Sequence, residues 1–144
     1  MIDLLHPLHP RLVHFPIALS LVGVAFLAWG ILKRQESWTH YGQISLLLGW
    51  VGAIVAALSG LVDQARAADT PVVANAINQH ITAGLALIVA LGLALYWPLR
   101  NRRLFTDPRR RWGYLALLLL GAALVLLEGW LGGKLVYGLG VGVR

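Results

Sequence analysis

Four long apolar segments constrain the fold of this chain more than any other feature. They cover residues 15–32, 44–62, 81–99 and 113–131, and Glu128 is the one charged residue inside them. Each is close to the ~20 residues that a helix needs to cross the hydrocarbon core of a bilayer. The alternating pattern of membrane β-strands is absent. The sequence therefore predicts an all-α integral membrane protein, with residues 1–144 forming one domain, an up-down-up-down bundle of four transmembrane helices.

Composition and charge agree with this class and exclude several others. Charged residues make up 12% of the chain and hydrophobic residues 58%, whereas soluble domains carry about 25% charged residues. The chain has no cysteine, which excludes disulfides, thiolate-held iron–sulfur clusters and covalently attached haem c. Its net charge of +6 lies mainly in short loops, so we expect no nucleic-acid partner. No hydrolase or transferase motif is present, and we expect electron transfer at most.

The distribution of positive charge predicts the orientation of the helices. Eight of the twelve Lys and Arg residues lie in the connections after the first and third apolar segments. Short loops rich in Lys and Arg stay in the cytoplasm. We therefore expect both termini on the non-cytoplasmic side of the membrane.

That orientation brings polar residues from all four helices to the outer face. His6, His9 and His14 accompany the first helix, and Asp63 ends the second. His80 begins the third helix, and Glu128 and Lys134 flank the outer end of the fourth. His40 falls on the inner side, so it is set apart from this group.

Two of these histidines suggest haem b. The first and third helices of such a bundle are diagonal neighbours, so His14 and His80 can face each other as axial ligands of a six-coordinate iron. His9 is the main competitor of His14. Arg11 and Lys134 are candidate partners of the haem propionates, and the small residues of helices 2 and 3 would leave room for a flat cofactor.

Other interpretations stay open at this stage. A metal ion without a macrocycle could bind His14 and His80, with Asp63 or Glu128 as further ligands. Alternatively, no cofactor binds: Asp63 pairs with Arg66 and Glu128 with Lys134. Rows of Gly and Ala at four-residue spacing would then serve close helix packing, in a structural or assembly subunit that contacts larger membrane partners.

Several stretches resemble one bacterial membrane family. They are His9-Pro10 with Leu12-Val13-His14-Phe15-Pro16, Ser59-Gly60-Leu61-Val62-Asp63, His80, and Gly132-Gly133-Lys134-Leu135-Val136-Tyr137 with Gly140-Val141-Gly142-Val143. In this order they resemble the family catalogued as domain of unknown function 2231. The resemblance implies a four-helix protein of the bacterial inner membrane, in contact with lipid. It also implies a larger redox complex or a cytochrome as partner.

Overall fold

The part of the chain that the structure describes is helical apart from short connections between the helices. The structure is a computed structural model, and it describes residues 9–64, 70–101 and 104–141. The helices are α1 (His9–Leu12), α2 (His14–Lys33), α3 (Glu36–Gln64), α4 (Pro71–Arg100) and α5 (Pro108–Gly133), and a π-helical turn (Lys134–Gly138) continues α5. His6 and Arg66, which entered the sequence interpretation, lie outside the described residues.

Four helical stretches are long and apolar enough to cross a membrane. They are His9–Lys33, Glu36–Gln64, Pro71–Arg100 and Pro108–Gly138. Each contains one of the four predicted segments and extends beyond it. The prediction of an all-helical membrane protein with four spans is therefore confirmed.

One helical hydrogen bond is missing near the beginning of the first span. Pro16 has no backbone N–H, so it cannot donate to the carbonyl of Leu12 four residues earlier. Val13, between α1 and α2, keeps helical backbone angles (φ −64°, ψ −26°), and its N–H bonds to the His9 carbonyl at 3.2 Å. The short α1, which carries His9, therefore continues into the long α2 as one span.

Glycine brings α2 and α3 into close contact. A Cβ atom on Gly23 would lie 2.6 Å from the backbone nitrogen of Leu46, and one on Gly49 would lie 2.8 Å from that of Ser20. Gly42 stands equally close to the backbone of Leu27. These helices can approach so closely because no side chain separates their backbones.

The remaining helices complete a bundle. Contacts join α2 to α3, α3 to α4, α4 to α5 and α5 back to α2. Thr70 caps the start of α4 and Asp107 that of α5, each followed by a proline, as is common at a first helical position. The interior is apolar, and the hydroxyl of the buried Tyr114 donates to the Ala94 carbonyl at 2.9 Å.

The outer surface of the bundle is apolar as well. Large hydrophobic side chains are exposed along all four spans, among them Phe15, Leu58, Leu85 and Leu119. A surface of this kind suits contact with lipid, because the acyl chains of the bilayer are as apolar as the exposed side chains.

A candidate histidine and carboxylate site

His9 is held in place through its backbone. It is the first residue of α1, where helical N–H groups have no partner within the helix. Its N–H donates to Asp63 Oδ2 at 2.9 Å, near the end of α3. A carboxylate in this position also suits the positive end of a helix. Asp63 thus anchors the start of the first span on the third helix of the fold.

The side chain of His9 is oriented by contacts of its ring with α3. Its Nδ1 lies 2.7 Å from the Ala56 carbonyl oxygen and 3.2 Å from Ser59 Oγ. A carbonyl can only accept, so Nδ1 carries the proton and Nε2 has a free lone pair. Gly60 makes room for the ring, because a Cβ there would lie 3.1 Å from Nδ1.

The free nitrogen of His9 points at His80, on α4. The two Nε2 atoms are 3.5 Å apart. The ring centroids are 5.7 Å apart and the ring planes are nearly perpendicular, at 81°. Since the centroids are farther apart than the nitrogens by about two ring radii, the imidazoles meet almost end to end rather than stacking.

Glu128, on α5, stands at the other nitrogen of His80. Its Oε1 lies 3.2 Å from His80 Nδ1, and the two side chains are 17% and 15% exposed. This contact is not a hydrogen bond, since His80 Nδ1 and Glu128 Oε2 are both buried without a hydrogen-bond partner among the described residues. Small residues border this contact too: a Cβ on Gly84 would lie 2.8 Å from Oε1, and one on Gly132 would lie 3.4 Å from the His80 ring.

Residues from all four spans therefore meet in one polar chain, the histidine–carboxylate site. It runs from Asp63 through His9 and His80 to Glu128. All four were singled out in the sequence. The Ala56 carbonyl and Ser59 were not given a role there, and Gly60 entered only as one of the small residues of its helix and as part of a stretch that carries the family resemblance.

Other candidate residues lie apart from this site. His14 is exposed on α2 and makes no hydrogen bond or ion pair within the described part of the chain. Arg11 and Lys134 are exposed, and the Lys134 ammonium lies 5.9 Å from the centre of a Trp130 ring. His40, the inner histidine, is exposed beside Tyr41. Within residues 9–64, 70–101 and 104–141, no group of three or more His, Asp or Glu side chains is arranged to hold a metal ion.

The fold and the apolar exterior define a multi-span α-helical membrane protein. Residues 5–144 match the family described as "Predicted membrane protein (DUF2231)". The chain belongs to that family, as its sequence stretches indicated. Neither the curated proteins nor the solved structures contain a significant match to it.

Proposed function

We propose that the protein is an electron-transfer subunit, or an accessory subunit, of a membrane redox complex, and that it binds haem b through His9 and His80. The observation that carries the proposal is the end-to-end approach of the two Nε2 atoms at 3.5 Å. Each ring has an oxygen at its other nitrogen, the Ala56 carbonyl for His9 and Glu128 for His80. Imidazole is a common axial ligand of haem iron.

The charge arrangement at the two Nε2 atoms favours a cation between them. His9 Nε2 has no proton, because Nδ1 is the donor to Ala56. The contact is a hydrogen bond in which His80 Nε2 carries the proton and donates to His9 Nε2. A metal cation could replace that proton, because both nitrogens would then act as electron-pair donors.

The donor chemistry fits iron, because imidazole nitrogen is a ligand that iron accepts. His9 and His80 would hold the group through their Nε2 atoms. Bound haem would supply reversible one-electron chemistry. The chain would hold the ligands, and we expect the exposed basic side chains of Arg11 and Lys134 to pair with the propionates.

Spectra of the purified protein test this proposal. Protein from cells supplied with haem should show a Soret band, and its reduced form should show sharp low-spin α and β bands. His9→Ala and His80→Ala should each abolish the low-spin spectrum. His40→Ala is the control and should leave it unchanged.

His14→Ala separates the two candidate ligands of the first span. If His9 is the ligand, the exposed His14 can be replaced without loss of the low-spin bands. Loss with His14→Ala and retention with His9→Ala would restore the pair predicted from the sequence, His14 and His80. Colourless protein, or spectra unaffected by His80→Ala, would eliminate the haem proposal.

A cofactor-free structural or assembly subunit is the second candidate. The close glycine contacts between α2 and α3 favour it, because they show that small residues serve helix packing here. In such a subunit the histidine–carboxylate site would only tie the four spans together. Colourless protein that still co-purifies with a larger membrane complex would support this function.

We further propose that both termini lie outside the cytoplasm, in a bacterial inner membrane. Lys33 and Arg34 follow α2, and Arg100 ends α4, so cations lie at the ends expected to be cytoplasmic. A reporter fused at residue 105 should be active on the cytoplasmic side, and one fused to the C-terminus on the periplasmic side. The reverse pattern would move the histidine–carboxylate site to the inner face.

A further inference from the structure

Two adjoining hollows lie beside α4 near its beginning. The larger, of about 570 Å³, lies between α4 and α5, and the smaller, of about 310 Å³, lies between the first turns of α4 and the segment that follows α5. Gln79 borders both of them, and together they form the α4–α5 groove. Hollows of this size are typical of ligand sites, which occupy about 300–1,000 Å³.

The part of the groove farthest from the start of α4 is apolar. Ala83 and Ala86 border it on α4, and Leu127 and Leu131 border it on α5. The alanine side chains are small enough to leave the space. Ala86 and Leu127 are exposed, so this part of the groove opens to the apolar exterior. Acyl chains are as apolar as these side chains, so a hydrocarbon chain can lie here.

The part next to the start of α4 carries polar side chains. Asn75, Gln79 and Lys134 border it. The amides of Asn75 and Gln79 are exposed and make no hydrogen bond within the described part of the chain, so their N–H groups are available to an acceptor. Pro71, the first residue of α4, borders the same hollow, and the first turn of a helix carries partial positive charge.

The charge at this end of the groove is positive. Lys134 makes no ion pair within the described residues, contrary to the pairing with Glu128 considered from the sequence, and its ammonium lies 5.9 Å from the centre of a Trp130 ring. No Asp or Glu of the described part borders either hollow. An anionic group would therefore meet a cation and amide donors there, with no carboxylate to repel it.

The length of the groove favours a lipid over a helix of a partner protein. Asn75 and Ala86 are eleven positions apart on α4, which corresponds to about 16 Å along a helix. The hydrocarbon core of a bilayer is about 30 Å thick, so the groove accompanies one leaflet only. A partner's transmembrane helix would need a groove along the whole span, whereas a lipid has a polar and an apolar part in the same order as the groove.

We infer that the α4–α5 groove binds one phospholipid with an anionic headgroup. The lipid phosphate lies at Lys134 and at the amides of Asn75 and Gln79, and an acyl chain lies along Ala83 and Ala86. The inference does not depend on haem. Because Lys134 is also an expected partner of the propionates, the experiment uses haem-free protein.

Native mass spectrometry of the haem-free protein in detergent, titrated with dioleoyl phosphatidylglycerol, tests the inference. One lipid per chain should stay bound. Dioleoyl phosphatidylethanolamine should bind more weakly, because its ammonium neutralises the phosphate charge. Glycerol phosphate, which has a headgroup but no acyl chains, should not be retained.

Two substitutions test the two ends of the groove. Lys134→Ala should weaken the binding of phosphatidylglycerol about fivefold, the contribution of one basic residue near a membrane surface. Its matched control is Lys33→Ala, because the Lys33 ammonium likewise lies over a tryptophan, 5.1 Å from the centre of the Trp29 ring, but at the opposite end of the spans. Ala86→Phe fills the apolar part and should abolish retention, whereas Ala18→Phe, at an exposed alanine of α2 that borders neither hollow, should not.

Four results would each overturn the inference. Equal binding of the two phospholipids would refute the anionic headgroup, and undiminished binding in Lys134→Ala or Ala86→Phe would refute the position. Equal losses in these variants and in their controls would show unspecific attachment to the apolar exterior. A dimer of the haem-free protein that Ala86→Phe dissociates would assign the groove to a second copy of the chain.

Discussion

Replacement of Gly23 by alanine tests the closest contact in the fold. The new Cβ would lie 2.6 Å from the backbone nitrogen and 2.9 Å from the Cα of Leu46, whereas carbon contacts are optimal near 3.5–4.0 Å. Because both atoms belong to the backbone, α2 and α3 must separate by about 1 Å. Such overpacking costs about 1–3 kcal/mol, and the gain in helix propensity returns about 0.5–1 kcal/mol. We expect a net loss of about 1–2 kcal/mol in the free energy of unfolding.

Equilibrium unfolding in mixed micelles, with increasing SDS and helix content as the signal, measures this loss. Gly133→Ala is the matched control, because beyond its own helix backbone and chain neighbours no atom of the described residues lies within 4 Å of a Cβ at that position. It should unfold like the natural protein or slightly later. If Gly23→Ala is as stable as Gly133→Ala, α2 and α3 do not approach each other as described.

Three further substitutions test single contacts. Thr70→Ala removes the side-chain acceptor of the Val73 N–H and should cost about 1 kcal/mol, seen as faster amide exchange in the first turn of α4, while Thr70→Ser restores protection. Tyr114→Phe removes the hydroxyl that donates to Ala94 and should lower the free energy of unfolding by about 0.5–1.5 kcal/mol; an unchanged value would contradict that bond. Asp63→Ala leaves the His9 N–H without its acceptor, so exchange should accelerate in α1 but not in α5.

The spans could be predicted from sequence because their signal is one-dimensional. An apolar run of sufficient length needs no knowledge of its neighbours, and the four helices contain all four predicted runs. Their ends were less predictable. Polar residues such as Asn75 and Gln79 extend α4 beyond the apolar run, since Thr70 and Pro71 start that helix outside it.

The packing rows were only partly predictable. The spacing of small residues indicated that α3 packs closely, and Gly49 and Ala56 are indeed buried. They belong to different rows of four-residue spacing, however, Gly49 to a row with Ala53 and Ala57, and Ala56 to a row with Gly52 and Gly60. The buried positions Gly42 and Gly49 are seven residues apart. A seven-residue spacing keeps one face towards a neighbouring helix. The sequence alone does not say which of the overlapping rows faces α2, because that depends on the rotation of both helices.

The choice between His9 and His14 shows the same limit at the site itself. Five residues separate them, which corresponds to about 140° around an ideal helix, so one regular helix cannot direct both towards the same partner. The structure directs His9 to His80 through two features that a sequence pattern does not display. Asp63 holds the His9 N–H, and the Ala56 carbonyl fixes the ring. Backbone acceptors are present at every residue, so only the fold determines which of them a histidine meets.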